Sequence, residues 1–437
     1  MKILFVIHGF LPFSTTGVEN YTYTLAKALN RSHKVLVYTA RFEPLEEKYK
    51  EFQYSYNGID VKGFCHDSVF REFRSSYSDS IADERFSEVV RTFRPDVVHF
   101  QHLIFHSVGY AKILKENNIP AVLTVHDFYY CCPNLGQRLF LGRFRCRERI
   151  PIKCALCFRT SKINISAVDK SVYQKVKDNK VVSQLSSFLP EISLFVKGLR
   201  LFSIHPTLEE IISREQEMLS FLGRMNLIIS PSVFYQKYYQ KISGHHNIVY
   251  LDYGFEKKRV KQQVRNNEIL TLGFVGTISH HKGAHLLIEL ARRIPGKIRI
   301  LVWGNDKNDR ILSKRLKSLR NVEYRGEFLS DEKAEVYKSI DYLIVPSVWE
   351  ENSPLVIHEA LIHNTPVIAS KRGGNPELVK EGVNGFLFEP DEKDSLLKLV
   401  ERIIRNKIFF RKVDNSVVMD ISEHTEKIVR FYRELLI

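Results

Sequence analysis

Glu351 and Glu359 invite chemistry first, because the spacing puts a helix start between them. Residues 342–346 form an apolar run suited to a buried parallel strand. Ser353 can serve as N-cap, Pro354 follows where an N–H is dispensable, and the helix is predicted to begin near Leu355. The first turn of such a helix carries unpaired N–H groups and partial positive charge, which suit a phosphate or diphosphate beyond the strand. Glu351, in the loop, can reach a group in front of the helix mouth. Glu359, one turn inside, can reach a hydroxyl pair beside it. A nucleotide sugar presents both. Taken alone, the two glutamates would read as ordinary surface acids.

Other residues have the same kind of placement. His126-Asp127 follows a predicted strand at 121–125, and ligands of parallel sheets bind beyond the carboxyl ends of strands. Gly276-Thr277 follows an apolar run at 270–275 and leads to Lys282 at a predicted helix start, where an ammonium can meet an anion. Near the beginning, residues 2–7 form a strand and residues 9–17 a loop rich in Gly, Pro, Ser and Thr. The loop leads into an amphipathic helix from Val18 to Leu29. No Gly-x-Gly-x-x-Gly is present, which argues against a dinucleotide oxidoreductase.

The context of the glutamates is specific. Glu-x7-Glu is followed by Gly-Gly-Asn-Pro-Glu at 373–377 and Asn-Gly-Phe-Leu-Phe at 384–388. Together these resemble the donor-binding half of the retaining glycosyltransferases of family 4, which have the GT-B fold. Thr16-Gly17-Val18-Glu19 resembles the family's Gly-Gly-Val-Glu loop, and His126-Asp127 its His-Asp pair. The resemblance implies that Glu359 accepts ribose hydroxyls and that Glu351 holds the sugar. It places Gly17, Gly276, Thr277, Lys282, Asn352, Ser353 and Leu355 around the donor, and His126 against the transferred sugar. Thr277 stands where the family usually has arginine. Retention by front-face attack is implied, with no cofactor beyond the nucleotide diphosphate sugar, which is a co-substrate. The chain has no Asp-x-Asp for a metal-bridged diphosphate.

These residues need two sheets to hold them. With 437 residues the chain exceeds one comfortable core, and strand and helix patterns alternate. The expected architecture is α/β GT-B: two Rossmann-like domains facing across a cleft. The first spans 1–256, with a basic, helical and cysteine-bearing insertion at about 131–225. The second spans 268–420, and residues 421–437 form a helix crossing back to the first.

The net charge of +15 points to anionic partners. Nucleotide sugars, a glycan or lipid-linked acceptor and an anionic membrane surface all fit. Nucleic acid is not expected, since charge alone leaves the glutamate pair unexplained. The start is too short for a signal-peptide core and no window holds the roughly 20 apolar residues of a spanning helix, so a cytoplasmic protein, peripheral on the inner membrane face, is expected. The insertion concentrates basic residues, and its 185–202 stretch is either a membrane-lying amphipathic segment or a packed helix with a basic face. Cys154-x-x-Cys157 has metal-knuckle spacing. With Cys146 and Cys132 or Cys131 it makes a candidate structural zinc site, set against reduced buried thiols. A GT-B-like epimerase or phosphorylase is the alternative reading of the same parts.

Overall fold

The structure, a computed structural model, describes residues 1–43, 46–67, 70, 72–159, 204–257, 269–307 and 309–437. The 185–202 stretch and nearly all of the expected linker lie outside the described residues. The first half holds β1 (Lys2–Ile7), β2 (Lys34–Phe42), β3 (Glu51–Tyr56), β4 (Ile59–His66), β5 (Val97–Phe100) and β6 (Ala121–Thr124). A small hairpin, β7 (Leu139–Phe140) and β8 (Phe144–Arg145), then precedes β9 (Leu227–Ser230) and β10 (Ile248–Tyr250). Eight of these make one sheet in the order β10-β9-β6-β5-β1-β2-β4-β3. Every pairing is parallel except β3 with β4.

The period of two in β1 explains its central place. Leu4 and Val6 enter the core on one face of the sheet, and Ile3, Phe5 and Ile7 enter the core on the other. All five are fully buried, each contributing roughly 1.5–3 kcal/mol. The helix Gly17–Leu29 lays Tyr21, Leu25, Ala26 and Leu29 on the second face, at the spacing of one helical stripe.

The second half repeats the plan. After the short β11 (Gly254–Phe255) come β12 (Leu270–Val275), β13 (Ile298–Trp303), β14 (Val322–Gly326), β15 (Tyr342–Val345), β16 (Val367–Ser370) and β17 (Gly385–Phe388). They form an all-parallel sheet in the order β14-β13-β12-β15-β16-β17. The order reverses between β12 and β15, and in the first sheet between β1 and β5. Crevices at such switch points are where doubly wound sheets bind ligands.

The helix Ile421–Glu434 follows β18 (Met419–Asp420), which pairs with β11. It packs on the first half, where Ile428 and Tyr432 join the core beside β1. His424 Nε2 lies 3.0 Å from the Tyr21 hydroxyl, and the Tyr432 hydroxyl 2.6 Å from His99 Nδ1. Among the described residues no helix is long and apolar enough to cross a membrane.

Candidate functional site

The loop after β15 carries Glu351, and its neighbours show how a buried carboxylate can stay charged. Glu351 is 4% exposed; its Oε1 accepts from Lys282 Nζ at 2.7 Å and from Ser347 Oγ at 2.5 Å. Burial alone would raise its pKa, but the Lys282 charge and these hydrogen bonds outweigh it and hold the group below the usual carboxylate range. Lys282, from the turn after β12, also lies 4.8 Å from the centre of the Trp349 ring. Gly276 ends β12 with φ +146°, and Thr277 offers its carbonyl to Ser279 Oγ at 3.3 Å.

The helix Leu355–Ile362 follows directly, but its cap differs from the expectation. Pro354, not Ser353, is the N-cap, and it lends no side chain to the helix end. The Ser353 hydroxyl instead donates to Asp252 Oδ1 at 2.6 Å and lies 2.8 Å from His358 Nε2. Asp252 is 3% exposed, and a carboxylate so buried needs that donor more than a helix end open to the cleft does. One turn in, Glu359 accepts from Lys333 Nζ at 2.6 Å and from the Tyr337 hydroxyl at 2.8 Å.

Across the cleft the central histidine is neutral. His126 sets Nδ1 2.6 Å from the Tyr253 hydroxyl and Nε2 2.9 Å from Gln101 Oε1, with its ring stacked on Tyr253. Burial, with His102, His99 and His8 nearby, lowers its pKa well below 6.5, so the ring is neutral. Asp127 accepts from the Tyr129 N–H at 2.8 Å and lies 3.1 Å from His102 Nε2. Glu19 is buried and receives the Ser14 and Thr16 hydroxyls, which fastens the loop leading to Gly17.

The two mouths touch. A Cβ on Gly17 would lie 3.7 Å from Leu355 Cδ1, an ordinary contact, so the glycine loop faces the first turn of the helix. The Asn352 amide donates to the Val125 carbonyl at 2.8 Å and the His126 carbonyl at 3.2 Å, and accepts from Ser232 Oγ at 2.7 Å. Its side chain therefore joins the halves, and its carbonyl lies against Gly374. Glu377 caps the helix Val233–Ser243 from the other half, accepting from the N–H groups of Val233 at 2.7 Å and Phe234 at 2.8 Å.

The structure thus brings Lys282, Glu351, Leu355 and Gly17 to one place, with His126 on the opposite wall through Asn352. Sequence reasoning missed Gln101 and His102, although both follow β5 at the switch point and the strand-end rule that found His126 could have found them. Lys333, Tyr337 and Asp252 carried no such signal.

The zinc expectation gains no support from the described residues. All six cysteines are free, and among the described residues no group of three or more His, Cys, Asp or Glu is arranged to hold a metal ion. Cys132, Cys146, Cys154 and Cys157 do line one cavity of about 380 Å³. Two of the sulfurs also meet the backbone: Cys157 Sγ accepts the Leu141 N–H at 3.2 Å, and Cys132 lies 3.9 Å from the Asn134 carbonyl. Burial pushes all four thiols up, Cys154 to about 11 and Cys157 to about 12, which keeps them protonated.

Two family models match the chain, Glycosyltransferase Family 4 over residues 15–156 and Glycosyl transferases group 1 over residues 255–417, together more than half of it. An uncharacterized glycosyltransferase of Methanocaldococcus jannaschii is 30% identical over 166 residues, which are 37% of this chain and 42% of that protein. The lipopolysaccharide 1,2-N-acetylglucosaminetransferase of Salmonella typhimurium is 26% identical over 41% of this chain and 53% of its own length. The match thus spans about half the length of these curated relatives. Among solved structures, Anabaena HepE in complex with UDP has a TM-score of 0.64 at 17% identity, covering 99% of this chain and 100% of that one. Sucrose-phosphate synthase from Thermosynechococcus elongatus has a TM-score of 0.65 at 15% identity, covering 100% and 99%. At such identities the likeness is one of fold.

Proposed function

Because the chain belongs to the GT-B glycosyltransferases of family 4, we propose that it moves a sugar from a nucleotide diphosphate sugar to a glycan or lipid-linked glycan acceptor, with retention of anomeric configuration. The observation that carries this reading is the Glu351–Lys282 pair at the mouth of the helix Leu355–Ile362, facing the Gly17 loop. An ammonium has three donors, so Lys282 can turn one to a diphosphate while keeping Glu351. Glu351, held charged, accepts hydrogen bonds from sugar hydroxyls, and Glu359 accepts those of the ribose. Lys282 and the first-turn N–H groups are in place before charge grows on the leaving diphosphate. With Thr277 in the turn, Lys282 is the main side-chain cation on that side. In the transfer the bond from the anomeric carbon to the diphosphate breaks and the bond to the acceptor oxygen forms on the same face. The acceptor proton passes to the departing phosphate oxygen. His126 backs the sugar as a neutral wall.

The acceptor side falls to the segment around the hairpin β7–β8. Its exposed Phe144 and Ile152, 64% and 57% accessible, stand among Arg143, Arg147 and Lys153, a mixture suited to an anionic membrane surface or a lipid-linked acceptor.

The test is a thermal-shift screen of UDP, GDP and ADP sugars, beginning with UDP-glucose, which a HepE structure holds, followed by transfer assays with and without acceptor. A ligand bound by the folded state alone raises the melting temperature. If no nucleotide sugar does so, the reading fails. Turnover that ignores acceptor would point to the epimerase alternative, and consumption of inorganic phosphate to a phosphorylase.

A further inference from the structure

Glu350, directly before Glu351, is 5% exposed, and no part of the proposed chemistry uses it. Its carboxylate is held from two distant parts of the chain. The Arg145 guanidinium, from β8 of the opposite half, pairs with Oε1, and the Gly373 N–H donates to Oε2 at 2.8 Å. The Glu350 carbonyl accepts the Tyr235 hydroxyl at 3.0 Å, also from the opposite half. The turn after β16 closes the other side, where the Gly374 N–H donates to the Glu351 carbonyl at 2.8 Å. Gly373 has φ +55°, and a Cβ there would come within 1.8 Å of the same carbonyl, so the two loops are in direct backbone contact. A carboxylate this buried needs a counter-charge, and the described partner that supplies one is Arg145.

The hairpin is itself fixed to the opposite wall. Arg138, just before β7, donates to the carbonyls of Cys146 at 2.9 Å and Arg147 at 3.2 Å, and lies 4.9 Å over the ring of Phe128, the residue after Asp127. At the tip, Leu141 and Gly142 both take positive φ, and the Arg143 N–H closes the turn on the Phe140 carbonyl. A rigid arm rooted beside His126-Asp127 thus ends on the residue next to Glu351.

We propose that Arg145 is a positioning residue: by holding Glu350 from across the cleft it sets the loop of Glu351, and with it the Lys282 contact, so that the donor side reaches working geometry when the hairpin is engaged. The proposal rests on the donor reading of Glu351 and Lys282. Arg145 is 41% exposed on its side chain, so its substitution leaves a gap open to solvent.

Steady-state kinetics on the full chain test it. Arg145→Ala should lower kcat at least tenfold with less than threefold change in donor KM and no loss of the folded transition. Arg145→Lys should recover part of the rate. Guanidinium at tens of millimolar should rescue Arg145→Ala, while equal sodium chloride should not, a response a merely structural role would not give. In a double-mutant cycle, adding Glu350→Gln to Arg145→Ala should cost little more than Arg145→Ala alone. Parental kinetics in Arg145→Ala, or fully additive losses in the cycle, would overturn the proposal. Glu351→Ala separates the two levels: inactive Glu351→Ala with active Arg145→Ala sinks the arm alone, whereas activity in both sinks the donor reading.

Discussion

On the second half's side of the cleft, Glu351 and Glu359 each keep a lysine, Lys282 and Lys333, within 2.7 Å. In the first half, burial keeps several imidazoles neutral: His126 at the cleft, and His99 and His106, both lowered to about 3, deeper in. A lysine at the edge of a site can share its donors with an arriving anion. A buried imidazole bonded at both nitrogens cannot be redirected without stranding a polar group. The contrast is between donors that can be shared and neutral imidazoles whose hydrogen bonds are already closed.

The sharpest way to break the comparison is Glu351→Ala. Turnover should fall by about 10²–10³, the scale of losing one preorganised electrostatic contact, while nucleoside diphosphate affinity changes little because Lys282 is then freed for the phosphates. Equal losses in both would mean that the pair does not divide its work as described. Glu359→Ala comes next. Nucleoside diphosphate affinity, measured by calorimetry, should weaken about tenfold to a hundredfold, the effect of losing charge-assisted hydrogen bonds of roughly 1.5–3 kcal/mol. Normal binding would remove Glu359 from the site.

The neutral wall is tested by acid. Unfolded histidines take up protons near 6.5, whereas folded His99 and His106 resist until about 3. Their contribution to stability is complete above pH 6.5 and is lost as pH falls from there toward 3. The slope is at most about 1.4 kcal/mol per pH unit for each residue. Urea unfolding at pH 7.5, 6 and 5 should show this decline, and His99→Asn should flatten it. Constant stability from pH 7 to 5 would mean these rings are not neutral in the folded state.

The smallest effect should come from Gly17→Ala. The added methyl meets only ordinary contact with Leu355, so the melting temperature should hold within a few degrees. Donor or acceptor KM should nevertheless rise if a ligand passes over the loop. Gly373→Ala, with no space and a positive φ, should instead destabilise the fold.

Much of this architecture was legible in the sequence, because parallel strands buried on both faces are apolar runs bounded by turn residues. The apolar run at 270–275 coincides with β12, Leu270–Val275. β3 escaped because its residues alternate between half-buried and exposed at the sheet edge, although Asn57-Gly58 with positive φ at both positions marks the hairpin joining it to β4. The residues proposed to touch the donor could be placed along the chain, but not their partners. Ser353 reads as a cap because its acceptor, Asp252, is 101 residues away, and nothing near Glu377 announces the N–H groups it receives from 143 and 144 residues away. Local propensity is silent about bonds closed over such distances.

The helix Ile421–Glu434 has a consequence for the order in which the protein becomes native during synthesis. The first sheet is complete once β10 has emerged, yet Tyr21 and His99 still lack His424 and Tyr432, and the apolar face around β1 is uncovered. At about 5–20 residues per second, the ribosome needs on the order of ten to forty seconds to deliver that helix. For that interval the second half must fold while the first stays unfinished and sticky. Arrival of this helix, delivered only after the second half, is thus the event that completes the packing of the first.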